Sequence, residues 1–309
     1  MATCLYTSAN GAEINQHWKQ LVDRADELRL GRDVQQSERV YRQALAESSS
    51  VGEKEKAVCL NRLGILYKLT GQYAQAESVS RRALDIWRSN AKEYPRQFLI
   101  AKSNLAVVLH TERKYHEAEK LLSEILESCE RNLGSAHPDT VAALNNLGAT
   151  YHEEGRLEQA ERLYQRAYSL TEGPDLSVER LMTGSNLALI YAQQGRFSEA
   201  DSLFQDVLTK MTSRYGRQQQ SRATILNNYA LLCVRLGRKE EAVRYVKEAV
   251  EIRDLTLGPD HPESIEAAMN CASVLRQVKR KKEAQEYASR GKSMGQSKTV
   301  DITSLLRAH

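Results

Sequence analysis

The stretch Leu144–Ala167, LNNLGATYHEEGRLEQAERLYQRA, decides how the whole chain is read. Leu144, Leu147, Gly148 and Tyr151 fall at i, i+3, i+4 and i+7, which is one face of an α-helix. Gly155 interrupts, and Leu157, Ala160, Leu163, Tyr164 and Ala167 then form a second such face. Glycine at the break can take the left-handed conformation that ends the first helix. Gly148 and Ala160 are small enough to let the two helices approach closely. The stretch is therefore a helix–turn–helix hairpin.

It recurs along the chain. Leu147-Gly148 has counterparts in Leu63-Gly64, Leu105-Ala106, Leu187-Ala188, Tyr229-Ala230 and Cys271-Ala272, spaced 42, 42, 40, 42 and 42 residues apart in chain order. Thirteen residues after each leading member stands an alanine: Ala76, Ala118, Ala160, Ala200, Ala242 and Ala284. Eight residues after it, four of the six copies have glycine, at Gly71, Gly155, Gly195 and Gly237. A weaker copy upstream has Leu21, Ala25, Leu28, Ser37, Tyr41 and Ala44 in the corresponding places. One hairpin cannot bury its apolar face alone, so neighbours must stack. Seven repeats are expected, near 14–50, 51–92, 93–135, 136–173, 174–216, 217–258 and 259–292. Residues 1–13 are expected to be a flexible lead-in, and 293–309 a polar tail able to add a short capping helix.

Composition agrees with long helices. Only 5 Pro and 16 Gly occur in 309 residues, and 41% hydrophobic with 27% charged content excludes a disordered, collagen-like or disulfide-scaffold chain. The net charge of +4 is too small to argue for nucleic acid or a membrane surface as partner. Cys4, Cys59, Cys129, Cys233 and Cys271 are far apart and form no C-x-x-C pair, the usage of a reduced protein. No apolar run approaches the roughly 18 to 20 residues that span a bilayer. Met1–Gly11 has neither the basic start nor the apolar stretch of a signal peptide. A cytoplasmic protein is expected.

The small–x–x–aromatic pattern of the first helix, with alanine and a large residue in the second, resembles the tetratricopeptide repeat. The extra length over that family's usual 34 residues sits between units, as in Ser128–Pro138 and Arg253–Pro262. There His137-Pro138-Asp139-Thr140 and His261-Pro262-Glu263-Ser264 open the next helix, with proline at the first helical position and an acid beside it. Gly134 and Gly258 stop the preceding helices. These openings, the 42-residue period and Asn145-Asn146-Leu147-Gly148 resemble the repeats of kinesin light chains and their relatives. The resemblance spans about residues 14 to 292 and implies an all-α solenoid, a right-handed superhelix of hairpins. A light chain's pairing coiled coil would precede the first repeat, where only about a dozen residues stand, so conventional motor attachment is not implied.

The resemblance also implies a site. Peptide-binding members of the family touch their ligand with the residue before each pair's leading member, here Arg62, Asn104, Asn146, Asn186, Asn228 and Asn270. Asn61, Asn145 and Asn227 stand one residue earlier. An amide both donates and accepts, so a row of them can pair with a peptide backbone whatever its side chains. Asparagine is a poor helix former, and its recurrence inside helices calls for a reason. Each Asn could equally bridge to the adjacent hairpin. Ile65, Val107, Ala149, Leu189 and Leu231 supply an apolar floor suited to apolar or aromatic anchors. The lysines with which chaperone-tail binders clamp a carboxylate are absent from the matching positions Val58, Ile100, Ala142, Met182, Thr224 and Glu266.

No constellation for catalysis, a metal or a cofactor is visible. His110 and His152 share a repeat position without ligand partners, and His137 and His261 belong to helix openings. His152-Glu153 lacks the second histidine of a zinc-protease helix. The basic run Lys279-Arg280-Lys281-Lys282 replaces the last glycine turn and reads as a solvated end cap, with nucleic-acid contact as the alternative. The expected function is a non-catalytic scaffold or adaptor that holds a protein or peptide segment in its groove. The alternative is a peptide-sensing regulatory protein that changes shape on binding.

Overall fold

The computed structural model describes residues 2–31, 33–170 and 177–292, with side chains from 15 to 290. Two compact units divide the chain at 150/151. The first holds α1 (Ala2–Leu30), α2 (Val34–Val51), α3 (Glu53–Leu69), α4 (Tyr73–Ser89), α5 (Pro95–Thr111), α6 (Tyr115–Leu133) and most of α7 (Pro138–Glu153). The second holds α8 (Leu157–Leu170), α9 (Val178–Gln193), α10 (Phe197–Tyr215), α11 (Gln220–Arg235), α12 (Lys239–Leu257), α13 (Pro262–Gln277) and α14 (Lys281–Lys292). Every element among the described residues is a helix. This is the all-α class of stacked hairpins that the repeat implies.

Each hairpin closes where the period places it. Gly71, Gly155, Gly195 and Gly237 have φ of 74°, 76°, 80° and 74°. The two copies without glycine make the same turn, with Arg113 at φ 62° and Lys279 at φ 68°. The basic run therefore interrupts the residue pattern of the last repeat and not its geometry. Gly134 and Gly258 end α6 and α12 at φ 92° and 86°.

The register alanines are the points of contact. Ala76, Ala118, Ala160, Ala200 and Ala242 are fully buried, and Ala284 is 1% exposed. In the first unit Ala25, Tyr41, Leu63, Ala76 and Ala83 share one core. In the second, Phe204, Tyr229 and Tyr245 stack with ring centroids 5.2 and 5.0 Å apart. Such offset aromatic pairs add about 0.5–1.5 kcal/mol beyond the area they bury. The weak upstream copy is a true hairpin, since Ser37 Oγ donates to the Ala25 carbonyl at 2.8 Å and ties α2 to α1.

α1 runs unbroken from Ala2 through the residues expected as a lead-in. No proline interrupts it, and burial of Trp18, Val22 and Ala25 anchors its other half. From an anchored turn, each further residue adds a backbone hydrogen bond without a new nucleus. The tail 293–309 and the boundary near 173/174 lie outside the described residues.

Candidate partner-binding face

The sequence-predicted residues all lie on first helices of hairpins and all are half-buried. Asn61 and Arg62 are on α3, Asn104 on α5, and Asn145 and Asn146 on α7. Asn186 is on α9, Asn227 and Asn228 on α11, and Asn270 on α13. In the second unit α11 adjoins both α9 and α13, which brings Asn186, Asn228 and Asn270 onto neighbouring helices. In the first unit α3 adjoins α5.

The row is not chemically uniform. Two members bridge hairpins: Asn228 Nδ2 donates to Ser185 Oγ on α9 at 3.2 Å, and Arg62 Nε lies 3.4 Å from Asp26 Oδ2 on α1. Among the described residues, the amides of Asn104, Asn186 and Asn270 have no hydrogen-bond partner. Asn61 and Asn227, at one repeat position, each have a buried Oδ1 without a donor. An unsatisfied buried acceptor costs about 1–3 kcal/mol, which is worth explaining. Ile65, Val107, Ala149, Leu189 and Leu231 are half-buried on the same helices.

A second row escaped sequence reasoning. After three of the turns the next residue pairs with an acid on the preceding second helix: Lys114 Nζ with Glu77 at 2.6 Å, Arg196 with Glu161 at 2.6 Å, and Arg238 with Asp201. Arg196 also lies over the Tyr191 ring, 3.9 Å from its centroid, and Arg156 over Tyr151 at 4.0 Å. Burial pushes the Glu77 carboxyl up, but hydrogen bonds from Lys114 and Arg81 outweigh it and hold it at about 2. The signal was present in the period. An acid follows the register alanine at Glu77, Glu119, Glu161 and Asp201, and a cation follows the turn at Lys114, Arg156, Arg196, Arg238 and Arg280.

The histidines do structural work. His137 and His261 each accept a backbone N–H through Nδ1, from Asp139 at 3.1 Å and Glu263 at 3.2 Å, and so cap α7 and α13. His110 Nδ1 meets Thr150 Oγ1 at 3.2 Å, and His152 Nε2 meets Gln193 Oε1 at 2.9 Å. Burial lowers the His152 pKa. Burial also pushes the Cys59 and Cys233 thiols up to about 11 and Cys271 to about 12, so none is a ready nucleophile. No group of His, Cys, Asp and Glu among the described residues is arranged to hold a metal ion. No described helix is long and apolar enough to cross a membrane.

The second unit has two open grooves, one between α12 and α14 and one walled by α8, α9 and α10. One, of about 780 Å³, is lined by Arg217, Arg244, Lys247, Leu255, Tyr287 and Arg290. The other, of about 610 Å³, has Tyr168, Leu187, Tyr191 and Leu203 in its wall.

Comparison with known proteins agrees with this construction. Among solved structures, BtubC (BKLC) from P. vanneervenii is 22% identical, with a TM-score of 0.55 over 73% of this chain and 90% of that one. Aspartyl phosphate phosphatase F from Bacillus subtilis is 14% identical, with a TM-score of 0.73 over 96% of this chain and 74% of that one. A Rap protein complexed with competence and sporulation factor is 15% identical, with a TM-score of 0.66 over 98% of this chain and 81% of that one. At these identities the likeness is one of fold. No curated protein sequence matches the chain. The tetratricopeptide repeat profile matches residues 25–89, 97–172 and 179–254, most of the chain. The chain belongs to the tetratricopeptide repeat family.

Proposed function

We propose that the chain is a non-catalytic scaffold or adaptor, and that in its second unit the α9–α11–α13 face holds an extended segment of a protein partner. One observation carries this reading. Asn186 and Asn270 recur at one helical position, half-buried, without a hydrogen-bond partner among the described residues. Asparagine disfavours a helix interior, and here no intramolecular bond repays it. Backbone amides and carbonyls of an extended segment would satisfy both groups of each side chain. Half-buried Leu189 and Leu231 would seat its apolar residues. In the first unit Asn61 and Asn104 on α3 and α5 offer the same chemistry, while Arg62 is engaged with Asp26.

The test is selection of a displayed random heptapeptide library on the purified full chain. Peptides that bind the chain should lose affinity on the double change Asn186→Ala and Asn270→Ala, with an unchanged melt. Selected peptides indifferent to that change would move the site elsewhere. A second reading, a peptide-sensing regulator, is favoured by the Rap protein complexed with competence and sporulation factor, whose fold spans nearly this whole chain. A selected peptide that altered the scattering profile of the chain would support it over a passive adaptor. Hydrolysis of an aspartyl phosphate by the purified chain, abolished by a point change within it, would overturn the non-catalytic reading.

A further inference from the structure

We infer that the groove walled by α8, α9 and α10 binds an aromatic side chain of a protein partner, with a basic residue beside it in the partner's sequence. The groove shares no residue with the asparagine row, and the inference stands or falls separately from the proposal for that row.

The period shows what the groove lacks. At the junction of α10, α11 and α12, the rings of Phe204, Tyr229 and Tyr245 form one stack. One repeat earlier, at the junction of α8, α9 and α10, the same register positions hold Tyr164, Leu187 and Leu203. Tyr164 keeps the first ring, 1% exposed. Leucines stand in place of the other two, and both line the groove of about 610 Å³. Leucine is shorter and narrower than tyrosine, so a junction that rings close in one copy is open in the other. A ring brought by another molecule fits on Leu187 and Leu203.

The walls are held in place. Tyr168 and Tyr191 each carry an arginine against the ring, Arg180 at 4.7 Å and Arg196 at 3.9 Å from the centroid. Gln165 Nε2 also donates to the Tyr191 hydroxyl at 3.2 Å. Walls ordered before a ligand arrives lower the cost of binding. An inserted ring buries apolar surface and adds offset or edge contacts with these tyrosines.

The lining charges are both acids, Glu199 and Asp206. Two nitrogens of Arg196 hold Glu199, at 2.8 and 2.7 Å. Asp206 has only Lys210 Nζ, at 2.6 Å across one helical turn. A pair of that kind contributes little, so a partner's cation can share the Asp206 carboxylate at small cost. The same two acids disfavour an acidic segment. Residues 171–176 and 293–309 contain no Phe, Tyr or Trp, so neither supplies the ring. A groove of this volume takes one or two side chains, far short of the roughly 1,200 Å² buried in a stable interface between two copies.

The random heptapeptide selection tests this when repeated on three variants. Leu203→Tyr and Ser202→Arg each fill the groove with the residue type that the next repeat carries there, at Tyr245 and Arg244. Ser202 is exposed, so Ser202→Arg keeps the test open if Leu203→Tyr misfolds. We expect Phe, Tyr or Trp beside Lys or Arg to be enriched on the parent, and the enrichment to vanish on both filling variants. Asp206→Asn should remove the basic preference alone. For one selected peptide, replacing its ring by Ala should weaken binding about ten- to a hundredfold, and replacing its cation by Met about two- to fivefold. No aromatic preference on the parent, or one that both filling variants leave intact, would overturn the inference. Aromatic peptides that respond to the Asn186→Ala and Asn270→Ala pair but not to Ser202→Arg would overturn it while supporting the asparagine row. A dimer of the full chain that Ser202→Arg dissociated in sedimentation would also overturn it, since the occupant would then be a second copy.

Discussion

Lys279 holds the backbone conformation that Gly237 holds one repeat earlier, φ 68° against 74°, each eight residues past the leading member of its pair. A residue with a Cβ pays about 1–2 kcal/mol for the left-handed region, and glycine does not. Glycine at Lys279 also frees the unfolded chain, which takes back part of the gain. Lys279→Gly should therefore stabilise the protein by about 0.5–1 kcal/mol, and Gly237→Lys should cost about 1–2 kcal/mol. Urea unfolding with an unchanged slope measures both. A lowered midpoint for Lys279→Gly would mean that the lysine side chain is needed at the turn.

Gly184 on α9 is pinned between two other helices. A Cβ added there would stand 2.8 Å from Val207 Cγ2 on α10 and 2.9 Å from Tyr168 Cε2 on α8. Gly184→Ala should cost about 1–3 kcal/mol through overpacking, despite alanine's better helix propensity. Val207→Ala removes one of the clashing groups, so the two changes should couple favourably in a double-mutant cycle. Additive losses would show that the backbone shifts instead.

The asparagine row should split by stability. Asn228→Ala removes the bond to Ser185 and should cost about 0.5–1.5 kcal/mol. Asn270→Ala removes none and, with alanine the better helix former, should leave the melt unchanged or slightly raised. Equal losses at both sites would make the whole row a device for stacking hairpins.

Acid should destabilise the protein in two steps. Burial places the His152 pKa below the ordinary 6.5, and hydrogen bonds from Lys114 and Arg81 hold Glu77 at about 2 against an ordinary 4.5. In both cases the unfolded chain binds the proton more readily, so stability falls as pH falls. The His152 contribution is present above pH 6.5 and is lost as pH drops below it. The Glu77 contribution is present above pH 4.5 and is lost on the way to pH 2. Melting temperatures across this range should show a shallower low-pH limb for Glu77→Gln. An identical profile would remove the Glu77 cluster from the account.

The period made most of the fold legible. Ala76 through Ala284 could be named in register because a stacked hairpin meets its neighbour at the same point in every copy, and only a small side chain fits there. The Pro138 and Pro262 helix starts were legible for a local reason, since proline suits the first turn. The α1 start was not, because residues 2–13 carry no repeat signal and join a helix whose anchor lies further along the chain.

The sequence by itself determined the hairpins, their spacing, and which residues stand on the first helices. Those depend on helical periodicity and on turn chemistry, both local. Only the tertiary structure decided that Asn228 is occupied by Ser185, that Asn186 and Asn270 are not, and that Arg62 belongs to Asp26. It alone also decided that Lys279 takes the turn of a glycine. A hydrogen bond between hairpins requires a separation correct to a few tenths of an ångström, and that separation is set jointly by all the side chains packed between the helices.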